Sequence, residues 1–134
     1  LVNKFIGDAA LAIFGAPVEL EDHATHALAA ARAMAARLAE EVPDLEAGIG
    51  VATGEAVAGN VGDTSRFEYT VIGDAVNAAA RLTELAKDVE GRLVASGDAV
   101  DAAGDDEAQH WRHHDTAVLR GRRDETELWV PAGL

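Results

Sequence analysis

The stretch "EYTVIGDAVNAAARL", Glu68 to Leu82, holds the residues best suited to chemistry. A β-branched run ends in Gly73-Asp74, and a helix-like segment follows at once. On that segment Asn77 and Arg81 stand four residues apart among alanines, roughly 40° apart around a helix, so both side chains share one face. An amide and a guanidinium one turn apart suit an anionic ligand, although such a pair by itself more often marks a solvated face. Its place just past a strand favours the ligand.

A second candidate lies in "NKFIGD", where Lys4 and Asp8 put a cation and a carboxylate near one bend. Gly-Asp occurs five times, at residues 7, 62, 73, 97 and 104, and elsewhere turn and cap chemistry accounts for such dipeptides. Gly48, Gly50 and Gly54 form a GxGxxxG, but a dinucleotide loop must lead from a strand into a helix, and here a second strand follows. These glycines mark close backbone approach instead. The histidines at 23, 26, 110, 113 and 114 lack ligand partners at zinc spacing and read as surface or packing residues. Neither a nucleophile elbow nor a Ser-His-Asp constellation is legible.

The elements that must position these residues follow from periodicity. "LVNKFIGDAALAIFG" is two apolar runs joined at Gly7-Asp8, a hairpin signal. From Asp22 to Val42 the chain reads as a helix, with Leu28, Ala31, Ala35, Leu38 and Val42 on one stripe, Asp22 as N-cap and Pro43 as stop. "EAGIGVATG" and "EAVAGNVG" suggest a second hairpin. After the loop "DTSR", strand "FEYTVIG" leads into a helix over Asp74 to Lys87. "GRLVAS" reads as a strand, "GDAVDAAG" as a short helix, and "DTAVLRG" with "TELWV" as a final antiparallel pair. The sum is α+β, one mostly antiparallel sheet with packed helices, in a single domain over 1–134.

Composition excludes several classes. With 134 residues, 11 Lys+Arg and 24 Asp+Glu, the formal net charge is −13, which argues against nucleic-acid binding but not against a small anionic ligand. With no Cys, disulfides and thiolate metal sites are ruled out, which fits a cytosolic compartment. No apolar run approaches a membrane span, and no signal peptide is visible. The chain opens on Leu1 in mid-strand pattern and so reads as a fragment, with any anchor or sensor upstream.

Taken together, "NKFIGDAALAIFGAP", "GIGVATGEAVAGNVG" and "RFEYTVIGDAVNAAARL" resemble the class III nucleotidyl cyclase catalytic domain, in order along almost the whole chain. "FEYTVIGDAVNAAARLTELAK" is most similar to actinobacterial adenylyl cyclases, many of them behind a membrane segment and a HAMP linker. The resemblance implies a ferredoxin-like core and conversion of ATP to 3′,5′-cyclic AMP and pyrophosphate, by attack of the ribose 3′-oxygen on the α-phosphate. It also implies a head-to-tail homodimer with shared sites, two Mg²⁺ or Mn²⁺ ions per site, and a cytoplasmic domain that meets a membrane only through segments outside this chain. Residue by residue, Asp8 matches the second metal-binding aspartate, and Lys4 with Thr70 the adenine-recognising pair. Asn77 matches the residue that orients the ribose, and Arg81 the arginine that stabilises charge on the α-phosphate. Arg120 falls where the family usually has a lysine for the terminal phosphates.

Three departures bear on these expectations. The strand with the first metal aspartate is expected upstream of Leu1. Thr70 stands where many relatives carry Asp, as in one recognised subgroup. Arg120 keeps the lysine's charge but changes its geometry. Two rivals follow: a non-catalytic cyclase-like domain that dimerises and regulates a partner, and a guanylyl cyclase, which wants Glu rather than Lys at position 4.

Overall fold

The computed structural model describes the backbone of residues 2–6, 9–16, 19–63 and 66–133, and the side chains of these except 2–6 and 57–71. Its centre is a four-stranded sheet in the order β3-β6-β8-β7, built from Ile49–Val51, Leu93–Ser96, Glu125–Pro131 and Trp111–Val118. The β3–β6 pair is parallel and the other two pairs are antiparallel. Two further antiparallel pairs complete the strands: β1 (Val2–Ile6) with β2 (Ala9–Ala12), and β4 (Val57–Asp63) with β5 (Arg66–Ile72). The expected α+β class is therefore present, with helices packed on a sheet.

Helices cover both faces of that sheet, and strand β6 shows why. All four of its residues are buried, as a central strand requires. Successive side chains alternate between faces: Leu93 and Ala95 join Leu28 and Ala31 of α1 (His23–Glu41), while Val94 joins Ala78, Leu82 and Ala86 of α2 (Asp74–Ala86). On the α1 side lie also the short helices α3 (Gly97–Ala102) and α4 (Asp105–Ala108).

Helix α1 keeps its expected bounds to within a residue, with Asp22 at the N-cap and Val42 at the C-cap just before Pro43. Asp22 is left-handed (φ 54°) and its carboxylate makes no cap hydrogen bond. Val42 leaves the apolar stripe, because the helix has already ended at Glu41, and it is exposed.

The second hairpin forms elsewhere than expected. Strand β3 does not turn back onto "EAVAGNVG"; it runs parallel to β6, and "EAVAGNVG" pairs with "RFEYTVI" instead. The reason is length. Strand β3 has three residues to offer, whereas β4 and β5 have seven each and pair over their full length from Val57↔Ile72 to Asp63↔Arg66. A ladder closed by a two-residue connection also has the smaller entropic cost.

The glycines of β3 act as anticipated. A Cβ at Gly50 would stand 2.5 Å from Ala79 O and 2.8 Å from Leu82 C, so α2 lies with its backbone directly on the strand. A Cβ at Gly48 would collide with Thr83 O. Strand β7 begins earlier than expected, at Trp111, and so takes in most of "HWRHH". There His113 is exposed and meets Trp129 edge-on, with centroids 5.7 Å apart.

One buried polar tie links the α1 side of the molecule. Arg32 of α1 donates from Nε and Nη2 to the two Glu107 oxygens at 2.7 and 2.5 Å, and Trp111 Nε1 donates to Oε2 at 2.8 Å. Burial pushes the Glu107 carboxyl up, but the hydrogen bonds from Arg32 and Trp111, with the positive field of Arg32 and His110, outweigh it and hold the carboxyl below its ordinary value. The same carboxylate, through its hydrogen bonds first, raises Arg32.

Candidate active site

Helix α2 is built as a two-sided element. Ala78, Leu82 and Ala86, at four-residue steps, are buried against β6 and β8. Asn77 and Arg81 precede two of these by one position each and are exposed, on one face as their spacing predicts. Among the described residues neither side chain has a hydrogen-bond or ion-pair partner. An uncommitted guanidinium and amide next to each other can receive a ligand without first breaking an internal bond.

The strand-to-helix turn fixes where that face begins. Strand β5 ends at Ile72, Gly73 is the N-cap, and Asn77 N–H donates to Gly73 O at 3.2 Å. An open hollow of about 460 Å³ lies at this turn, lined by Glu55, Ala56, Ile72 and Gly73. Ile72 is a large apolar side chain left 61 % exposed there.

Arg120 is brought to the same end of α2 by a clamp that sequence reasoning missed. Residues Leu119 to Arg122 form a tight turn, closed by Arg122 N–H donating to Leu119 O at 2.9 Å. Gly121 takes the left-handed φ of 89° that its third position requires. Leu119 is buried in the α2 core, and Arg122 donates to both oxygens of Asp74, from Nη2 to Oδ2 at 2.5 Å and from Nε to Oδ1 at 3.2 Å. Its Nη1 also donates to Thr126 Oγ1 at 3.0 Å. The exposed Arg120 thus rides on a turn held to the first residue of α2. The pattern Leu-Arg-Gly-Arg signals the turn, but nothing in the sequence pairs Arg122 with a carboxylate 48 positions away.

The other candidates are placed by backbone alone. Lys4 lies in β1 opposite Leu11, with a register shift beside it, and Thr70 lies in β5 opposite Gly59. Ile6 pairs with Ala9, as a hairpin demands, while Gly7 and Asp8 lie outside the described residues. The structure therefore joins Asn77, Arg81 and the Arg120 turn at one helix. It leaves β1–β2 as a separate two-stranded pair. Among the described residues no group of three His, Cys, Asp or Glu side chains could hold a metal ion. No helix there is long and apolar enough to cross a membrane.

The α+β sheet, with a Gly-Asp turn launching a helix whose Asn77 and Arg81 have no partner among the described residues, has the architecture of a known family. The chain belongs to the adenylate and guanylate cyclase catalytic domain family, which it matches over residues 3–132. It is 59 % identical over 131 residues to the uncharacterized protein Rv1319c of Mycobacterium tuberculosis, covering 98 % of this chain and 24 % of that protein. It is 56 % identical over 134 residues to the uncharacterized protein Rv1318c of the same organism, covering 25 % of it. The chain thus spans about a quarter of the length of these curated relatives. Among solved structures, the guanylyl cyclase Cya2 is 28 % identical with a TM-score of 0.75, covering all of this chain and 70 % of that one. A bacterial light-regulated adenylyl cyclase shares the fold at a TM-score of 0.77 and 23 % identity, over 98 % of this chain and 38 % of its own.

Proposed function

We propose that this cyclase domain is an adenylyl cyclase, converting ATP to 3′,5′-cyclic AMP and pyrophosphate at sites shared across a homodimer. The observation that carries the proposal is the exposed Asn77–Arg81 pair on α2, unpartnered among the described residues, with the Arg120 turn clamped at the start of the same helix. In this reading Asn77 orients the ribose so that its 3′-oxygen points at the α-phosphate. Arg81 stabilises the charge that builds on the α-phosphate during transfer, and Arg120 holds the terminal phosphates. Phosphoryl transfer asks a protein mainly for positioning and preorganised positive charge, and these three residues supply both.

Shared sites fit the shape of the molecule. The hollow at the strand-to-helix turn is open, and Ile72 on its wall is exposed, so a second surface is needed to enclose a nucleotide. Mg²⁺ or Mn²⁺ belongs to the same proposal. When bound, the ions would activate the attacking oxygen and offset charge on the leaving group, with Asp8 as one ligand. The described residues do not themselves form such a site.

Base choice rests on Lys4 and Thr70. Adenine offers an acceptor at N1 and a donor at N6, which suit an ammonium and a hydroxyl. Guanine reverses both groups, at a cost of about 1–3 kcal/mol per unsatisfied buried group. The likeness to a guanylyl cyclase favours GTP as the second reading.

Purified full-length protein supplied with ATP or GTP and Mn²⁺ or Mg²⁺ separates the readings. Cyclic AMP is the expected main product, and Lys4→Glu is expected to lower ATP use far more than GTP use. Cyclic GMP as the main product would establish the second reading. No turnover with either nucleotide would leave a non-catalytic, dimerising domain. Equal loss with both nucleotides in Lys4→Glu would show that Lys4 does not read the base.

A further inference from the structure

The Arg122–Asp74 clamp is built more heavily than stability requires. Arg122 uses three of its donors, two on Asp74 and one on buried Thr126, and its side chain is 23 % exposed. Asp74 is 71 % exposed, and an ion pair with so exposed a partner adds little to folding stability. Its geometry is what distinguishes it. A bidentate guanidinium–carboxylate pair fixes orientation as well as distance. Here the carboxylate belongs to the first residue of α2, three positions before Asn77 and seven before Arg81. The guanidinium belongs to the last residue of the turn that presents Arg120.

From this arrangement we infer that Arg122 is a positioning residue: by clamping Asp74 it sets the Arg120 guanidinium at a fixed place relative to the Asn77–Arg81 face. The inference rests on the proposed role of Arg120 in holding the terminal phosphates. Leu119 anchors the near end of the turn in the α2 core, and the Val118↔Glu125 pair of β7 and β8 closes the hairpin loop behind it. Without the Asp74 contact the loop stays closed at its base, but its tip is no longer tied to the start of α2, and Arg120 can shift about Gly121, whose backbone is the most permissive in the turn. An anion held by a swinging cation is held less tightly, while the part of the nucleotide bound by α2 itself is unaffected. The clamp therefore acts on one end of the substrate.

The test compares Arg122→Gln, Asp74→Asn, the double variant and Arg120→Ala in the full-length protein. The readouts are ATP kinetics and inhibition by two probes. Inorganic pyrophosphate reports on the terminal-phosphate position, and adenosine 5′-monophosphate on the rest. Arg122→Gln is expected to raise KM for ATP and the pyrophosphate inhibition constant about tenfold, with kcat changed less than about threefold. Inhibition by the monophosphate should stay where it is in the unaltered protein, and the Tm should fall only by the few degrees that losing the donor to buried Thr126 implies. Asp74→Asn should behave alike, and the double variant no worse than either single one, because one clamp is lost only once. Arg122→Lys, which keeps charge without the fork, should fall between.

Unchanged pyrophosphate inhibition in Arg122→Gln, alongside a large loss in Arg120→Ala, would overturn the clamp and leave the Arg120 role standing. A parallel loss of monophosphate inhibition would overturn it too, since that marks general damage to α2. No effect in Arg120→Ala would remove the phosphate role of Arg120, and the positioning role of Arg122 with it.

Discussion

Arg81 and Asn77 show what a helix face can do when the neighbouring positions carry the packing. Each is followed by a buried residue, Ala78 after Asn77 and Leu82 after Arg81, so the polar side chains are fixed at their base and free at their tips. Removing a preorganised cation from developing charge costs about 10²–10³ in rate. Arg81→Ala is therefore expected to lower kcat by that factor with little change in KM or Tm, since the side chain is exposed and adds nothing to the core. A steady-state comparison with thermal denaturation checks this. A large fall in Tm would mean that Arg81 is structural, and a change confined to KM would mean that it binds ground state and transition state equally.

At the scale of elements, the close seat of α2 on β3 is the feature that places the site. It depends on the absence of side chains at Gly48 and Gly50, where any Cβ would run into the helix backbone at Ala79, Leu82 or Thr83. Backbone cannot swing aside as a side-chain tip can. Gly50→Ala must therefore push α2 off the strand, and overpacking of this kind costs about 1–3 kcal/mol. The expected outcome is a Tm lowered by several degrees together with a loss of cyclase activity, because the whole Asn77–Arg81 face moves. Gly121→Ala meets no neighbour, but its φ of 89° is unfavourable for any side chain. Full activity in a folded Gly50→Ala protein would show that the seat of α2 is not what sets the site.

For the molecule as a whole, two predictions follow from how its parts are joined. Glu107 is 6 % exposed and ties Arg32 of α1 to Trp111 of β7, so Glu107→Ala leaves a half-buried guanidinium and a buried indole N–H without their acceptor. Losing one member of such a pair costs about 3 kcal/mol, which for a domain of this size lowers Tm by roughly 6–12 °C. Because the Glu107 carboxyl is held below its ordinary value, its contribution is complete above the ordinary carboxylate range and fades as the pH falls through the lowered value. The Tm gap between the unaltered protein and Glu107→Gln should hold steady above about pH 5 and narrow below about pH 4. A gap that widened in acid would reverse the sign of the shift.

The second concerns assembly. If each site takes its metal carboxylate from one subunit and its Asn and Arg from the other, Asp8→Ala and Arg81→Ala are each inactive as homodimers. Mixed, they form a dimer with one site doubly defective and one intact, and activity should return toward half that of the unaltered dimer, scaled by the mixed fraction. No recovery on mixing, with subunit exchange confirmed by differential labelling, would mean that each chain builds its own site.

Much of this was legible from sequence because it is written in local pattern. The three- and four-residue steps of Leu28, Ala31 and Ala35 dictate α1, and the β-branched run into Gly73-Asp74 dictates the strand-to-helix turn. The spacing of Asn77 and Arg81 puts both on one face in any helix, and the glycines of "GIG" announce a close approach without naming what approaches. What only the tertiary structure decided is pairing at a distance. Strand β3 takes β6 as its partner, 44 residues further along at Ile49↔Leu93, because both are covered by the same two helices. Arg122 finds Asp74, and Arg32 finds Glu107, across 48 and 75 positions. Such partners carry no local signature: any Arg suits any carboxylate, and only packing of the apolar faces around them determines which two meet.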